Sequence, residues 1–267
     1  MRRRTLLGLA GLGALGGTGL LSACGDDPVR PSDGTVPYGD DPEQFAELYT
    51  PQGESRGVVV VIHGGFWKAQ YDHTLGQPLA ASLADEGWTA WNIEYRRVGN
   101  GGGAPETFDD VAAALDALAD VEGLDTSTVV TLGHSAGGHL AVWAAGRTEP
   151  RVAVTHVISQ AGVLDLRGAH AAGLGGGAVQ AFLGHSPGLD DAAYDPLQQI
   201  PLDAPVWCVH GRDDVIVPIS QSVDYVAAAT EAGAQAELVE VEGDHFVVID
   251  TGSDAWTRTL GILDQIG

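Results

Sequence analysis

Lysine is all but missing from this chain. Lys68 is the only one, and 13 lysines and arginines together face 36 aspartates and glutamates. A protein so poor in positive charge offers no basic patch for nucleic acid or for an anionic membrane face. Cysteine is scarce too, and Cys24 and Cys208 cannot build a disulfide framework. Cys208 falls in an apolar run and reads as a small core hydrophobe. No internal repeat recurs, and the histidines, His63, His134 and His139 included, fit no zinc signature. No metal or other cofactor is therefore expected. Apolar residues make up 44% of the chain, an ordinary content for a globular protein, and the length suits one α/β domain plus extensions.

What the chain does contain is a run of buried-strand patterns, each ending in a chemically loaded loop. Val129–Leu132 is a short β-branched strand, and Gly138–Ala145 is a helix former with an apolar face. Between them lies Gly133-His134-Ser135-Ala136-Gly137, which reads G-x-S-x-G. Strand, tight turn and helix put a serine on a strained bend with its hydroxyl exposed at the carboxyl end of a sheet. Upstream, Gly57–Ile62 is fully apolar and runs into His63-Gly64-Gly65-Phe66-Trp67. Downstream, Ala204–Val209 runs into His210-Gly211-Arg212-Asp213-Asp214, and Ala236–Val241 into Glu242-Gly243-Asp244-His245-Phe246. A serine, an acid and a histidine thus each follow a strand, in that chain order. Ser135 is the candidate nucleophile and His245 the candidate base that would activate it. Asp213 and Asp214 compete for the acid that would orient the imidazole.

Together these motifs resemble the α/β-hydrolase esterases over roughly residues 45 to 266. The chain is similar to bacterial feruloyl and acetylxylan esterases, and also to arylformamidases. The loop after Val209 further resembles the His-Gly-x-x-Asp acid loop of prolyl-oligopeptidase-like enzymes, which lands on Asp214. The resemblance implies a mostly parallel central sheet with helices on both faces and a short lid. It implies hydrolysis of a carboxylic ester through an acyl-enzyme, with Ser135, Asp214 and His245 as catalytic triad. Aryl formamides, peptides and a non-catalytic binding role are the alternatives. The His63 loop resembles the HGGG oxyanion loop of lipases, with Phe66 in place of the third glycine. The implied oxyanion donors are the backbone N–H groups of Gly65, Phe66 and Ala136. His63 would orient that loop, and His210 would brace the acid loop. Trp67, Tyr71 and His73 follow the oxyanion loop and are candidate pocket residues, with a core role as the alternative for Trp67. Arg96 and Arg97 end a strand at the same face and would serve an anion or a local ion pair. The expected partner is a small-molecule or acylated-carbohydrate ester.

The first residues carry a different message. Arg2-Arg3-Arg4 precedes a glycine-rich apolar stretch that closes in Leu21-Ser22-Ala23-Cys24. Charged start, apolar middle and small residues at the end are signal-peptide anatomy. The last four residues resemble a lipobox, which implies lipidation of Cys24, export and residence on the outer face of the cell membrane. Arg3-Arg4-Thr5-Leu6-Leu7 resembles a twin-arginine export signal. Residues 25–43, rich in Asp, Pro and Gly, read as a flexible tether, with the catalytic domain spanning 44–267. Within it Phe45–Tyr49 is expected as a first edge strand. Helices are expected over Gln77–Glu86, Pro105–Leu118, Gln221–Ala232 and Asp254–Leu263, and strands over Trp88–Tyr95 and His156–Ala161. Residues 166–201 lack sheet character over a length that reads as a lid or cap.

Overall fold

The computed structural model describes residues 29–267. The expected signal segment and Cys24 lie outside those residues. Eight strands form one sheet in the order β1-β2-β4-β3-β5-β6-β7-β8. They are β1 (Gly34–Pro37), β2 (Phe45–Tyr49), β3 (Val58–Ile62), β4 (Thr89–Ile93), β5 (Val129–His134), β6 (His156–Gln160), β7 (Val206–Gly211) and β8 (Ala236–Val241). From β4 to β8 the strands run parallel, while β1 and β2 are antiparallel additions on one edge.

The parallel strands are apolar on both faces because helices cover both. Val58, Val60 and Ile62 belong to one core cluster, and the intervening Val59 and Val61 to a second. The same alternation splits Val129 from Val130 and Cys208 from Val209. The first cluster takes in α2 (Glu106–Asp116), α3 (Ala136–Ala145) and α6 (Ser220–Glu231); the second takes in α1 (Gln77–Asp85) and α7 (Asp254–Ile266). Burying each aliphatic side chain contributes about 1.5–3 kcal/mol, so a two-faced sheet is strongly favoured over a one-faced one.

Two expectations about the edges are corrected. Part of the expected tether is structured, because Gly34–Pro37 forms β1 and pairs with Phe45–Leu48. The open edge of β2 offers unpaired backbone groups, and even four residues satisfy them. Arg30 and Asp33 also reach Thr50, which fastens the chain ahead of β1. Phe45–Tyr49 is consequently the second strand, not the edge.

Residues 166–201 fold into α4 (Leu166–Ala171), α5 (Ala178–Leu183) and single turns. Leu166, Ala169, Val179 and Phe182 are buried in the first core cluster. The segment is thus a cap packed onto the domain, anchored by Ala104 N–H donating to Phe182 O at 2.8 Å.

Candidate active site

Ser135 sits between β5 and α3 with φ 56° and ψ −117°. A non-glycine residue there is strained by about 1–3 kcal/mol and persists only where its surroundings impose it. They do so by close backbone contact. A Cβ on Gly137 would lie 2.0 Å from Ile62 O, and one on Gly133 would lie 2.1 Å from Gly137 O. The turn is further held by Ser135 N–H donating to Gln160 O at 2.8 Å.

His245 is buried in the loop after β8, and its Nδ1–H donates to Asp214 Oδ2 at 2.6 Å. The other carboxylate oxygen of Asp214 accepts the N–H groups of Ile216 (2.8 Å) and Val217 (2.9 Å). Burial alone would raise the Asp214 pKa. The hydrogen bonds from His210, His245 and Val217 outweigh it and hold the carboxyl well below the usual carboxylate range. Asp213 is exposed, with only its backbone N–H bonded, to Gly243 O. Asp214, not Asp213, is therefore the acid in contact with His245. His210 does brace this loop: Nε2–H donates to Val217 O at 2.9 Å, and Nδ1 accepts from Ser222 Oγ at 2.8 Å.

Ser135 and His245 both line a cavity of about 170 Å³, together with Gly65, Phe66, Tyr71, Leu75, His134, Ile216, Phe246 and Ile249. A larger open crevice of about 420 Å³ at the far end of α3 contains none of the candidate catalytic side chains. Next to Gly65 of the cavity wall, Gly64 abuts the elbow, since a Cβ there would lie 3.0 Å from Ser135 Cβ. Gly65, Phe66 and Trp67 all have positive φ, at 115°, 53° and 54°. Among the described residues no protein group accepts from the N–H of Gly65, Phe66 or Ala136.

The pocket expectations divide. Tyr71 lines the cavity and presses against Gly65, where a Cβ would come within 2.4 Å of it. Trp67 does not line it. Its side chain is wholly buried, stacked on Phe182 at 4.6 Å and edge-on to His139 at 5.2 Å. Trp67 thus packs into the cap, whereas Phe66, with nearly the same φ, lines the cavity. His73 is also elsewhere, bonded through its N–H and Nδ1 to Glu94 behind the oxyanion loop. Arg96 forms a two-pronged pair with Asp110 (2.8 and 2.7 Å), and Arg97 pairs with Glu43 and Glu94. Both arginines are thus held in local ion pairs.

His134 was missed as a functional residue. It fills the variable position of the G-x-S-x-G motif, yet its Nε2–H donates to the His245 carbonyl at 2.9 Å, and the two rings lie 4.5 Å apart. Burial, then the charge of a protonated His245, push its pKa down to about 3, so it is a neutral brace. Only its place beside the serine hinted at this. Leu75, Ile216, Phe246 and Ile249 carried no signal at all.

A comparison with protein-family models matches residues 46–228 to BD-FAE. The chain belongs to the BD-FAE family. Curated relatives of this BD-FAE member include a probable isoprenylcysteine alpha-carbonyl methylesterase of Oryza sativa subsp. japonica. It is 27% identical, with 78% of this chain and 56% of that protein covered. Esterase LipQ of Mycobacterium tuberculosis is 29% identical over 68% of this chain and 48% of its own length. The chain spans about half the length of these relatives. Among solved structures, a truncated carbohydrate esterase from gut microbiota superposes with TM-score 0.76 at 20% identity, covering 90% of this chain and 98% of that one. Esterase 2 of Thermogutta terrifontis superposes with TM-score 0.72 at 22% identity, covering 88% and 91%. The fold is thus the α/β-hydrolase fold.

Proposed function

We propose that this protein hydrolyses carboxylic esters through an acyl-enzyme formed on Ser135. One observation carries the reading: the His245–Asp214 pair and Ser135 meet at one apolar cavity whose oxyanion-side N–H groups are unclaimed. In this reading Ser135 Oγ attacks the ester carbonyl while His245 takes its proton. Asp214 keeps the proton on Nδ1, so that Nε2 faces the serine as a base. The oxygen of the tetrahedral intermediate becomes anionic and receives N–H bonds from Gly65, Phe66 and Ala136. His245 then protonates the departing alcohol, and water repeats the sequence on the acyl-enzyme, releasing the acid. The esterase names of the relatives, and a Thermogutta esterase captured phosphonylated by sarin, support this chemistry.

The test is a substrate panel on purified protein: short acyl esters, feruloyl esters, acetylated xylan and N-formylkynurenine. Turnover of at least one ester is expected to exceed that of the formamide. A clear preference for N-formylkynurenine would move the protein to amide hydrolysis, and turnover of neither class would leave a binding role.

Export and anchoring belong to the same proposal. The lipobox-like Leu21–Cys24 supports attachment of diacylglycerol to Cys24 after signal cleavage. Each buried CH₂ contributes about 0.8 kcal/mol, and two or three chains anchor stably where one does not. Cys24→Ser is expected to move the activity out of the membrane fraction, or to leave an unprocessed precursor. A soluble wild-type protein without lipid would overturn the anchor.

A further inference from the structure

Behind the oxyanion loop lies a buried polar cluster that the proposed reaction does not use directly. His63 is wholly enclosed, stacked on Tyr95 at 4.4 Å between ring centroids. Its Nδ1 lies 2.8 Å from Gly64 O. A carbonyl only accepts, so Nδ1 carries the hydrogen and Nε2 is left as the acceptor. Two groups approach Nε2: Glu94 Oε1 at 3.1 Å and Arg97 Nη1 at 3.3 Å. Arg97 supplies the hydrogen, since a carboxylate cannot donate to a lone pair. Burial, which pushes the His63 pKa down to about 3, agrees with a neutral ring. Glu94 in turn holds Arg97 by ion pairing, and accepts from Tyr95 N–H (2.8 Å) and His73 N–H (3.0 Å). Tyr95 Oη–H donates to His63 O at 2.7 Å and fixes the loop's first peptide.

This chain of contacts ends on one peptide group. A trans peptide is planar, with its C=O and N–H pointing in opposite directions. Pinning Gly64 O onto His63 therefore aims the Gly65 N–H the other way, away from the His63 side of the loop. Gly65 lines the cavity, its N–H is taken by no described protein group, and its φ of 115° is a setting an unpinned loop would leave.

We propose that Glu94 and Arg97 are positioning residues for the reaction: they lock the His63 tautomer and thereby orient the Gly65 N–H toward the developing oxyanion. The proposal rests on the esterase reading of the site. A displaced donor weakens the transition state far more than the bound ester, so kcat carries the effect and KM does not.

The experiment compares His63→Phe, His63→Asn and Glu94→Gln with wild type. Phenylalanine keeps the ring and its stack on Tyr95 but cannot donate to Gly64 O. Asparagine loses the ring, yet its amide reaches the position of Nδ1 and restores the donor. His63→Phe is expected to lower kcat about ten- to a hundredfold with KM within about threefold, and His63→Asn to recover most of the loss. Glu94→Gln should fall between them. Inhibition by a phenylboronic acid, whose tetrahedral serine adduct places an oxygen in the hole, should weaken in step with kcat. Melting curves verify folding, and labelling by a fluorophosphonate verifies the serine. If wild type neither labels nor hydrolyses esters, the esterase reading fails. If wild type does both, and Phe outperforms Asn or boronate affinity does not follow kcat, the positioning role is overturned.

Discussion

Ser135→Ala is expected to lower kcat by about 10⁴–10⁶ in a protein that melts as wild type does. The expected loss is large because the proposed nucleophile, base and acid would act as a unit. In the proposed reaction the variant could form no acyl-enzyme, and only the proposed oxyanion donors and substrate binding would remain to assist water. The fold should survive for local reasons. Ser135 Oγ makes no hydrogen bond to any described residue, so its removal orphans no partner. Alanine has the same Cβ at the same strained φ of 56°, and the glycines that force the bend are untouched. Fluorophosphonate labelling should vanish with the activity. Hydrolysis within tenfold of wild type in a homogeneous sample would remove Ser135 from the mechanism.

Asp214→Asn should reduce kcat by about 10³–10⁴, and Asp213→Asn by less than about twofold. Asparagine can keep its carbonyl on the N–H groups of Ile216 and Val217, where Oδ1 of the aspartate sits. Its amide NH₂ then faces His245 and His210 Nε2–H. Donating to His245 Nδ1, that amide moves the imidazole hydrogen to Nε2, the atom that must act as base. The tautomer is wrong while the geometry is nearly intact, so kcat falls and stability changes modestly. The Asp213 side chain has no such contacts. The same geometry fixes the sign of the pH dependence. With its pKa held far below the usual carboxylate range, Asp214 stays an anion at any pH where the folded protein would be assayed. A rising limb of kcat/KM in the neutral range is therefore not the titration of Asp214. Equal effects of the two substitutions would dismantle the assignment of the acid.

Much of this site was legible before any coordinates. The elbow is a local device: its strand, bend and helix lie within Val129–Ala145, and its close contacts demand small residues at Gly133, Gly137 and Gly138. Buried parallel strands are covered on both faces, so they appear as unbroken apolar runs whose carboxyl ends face one rim of the sheet. That is why three loops far apart in the chain could be read as one site. The family resemblance, and not the residue pattern, had separated Asp214 from Asp213.

Other features depend on who meets whom across the fold, which periodicity does not encode. Trp67 and Tyr71 sit four residues apart, in one loop and of similar character. Trp67 packs against Phe182 of the cap, while Tyr71 folds back over Gly65. His134 acquires its role from a carbonyl at residue 245, 111 positions away. Gly34–Pro37 becomes a strand only because β2 leaves an edge to complete. The Glu94–Arg97–His63 cluster is assembled from the ends of two neighbouring strands, and Leu75, Ile216 and Ile249 join the cavity from three separate loops. The sequence by itself determined the parallel strands, the bend and the types of group proposed to carry the chemistry, because each is written in adjacent residues. The tertiary structure alone decided which side chains line the cavity and which brace it, because those contacts depend on the final paths of distant segments.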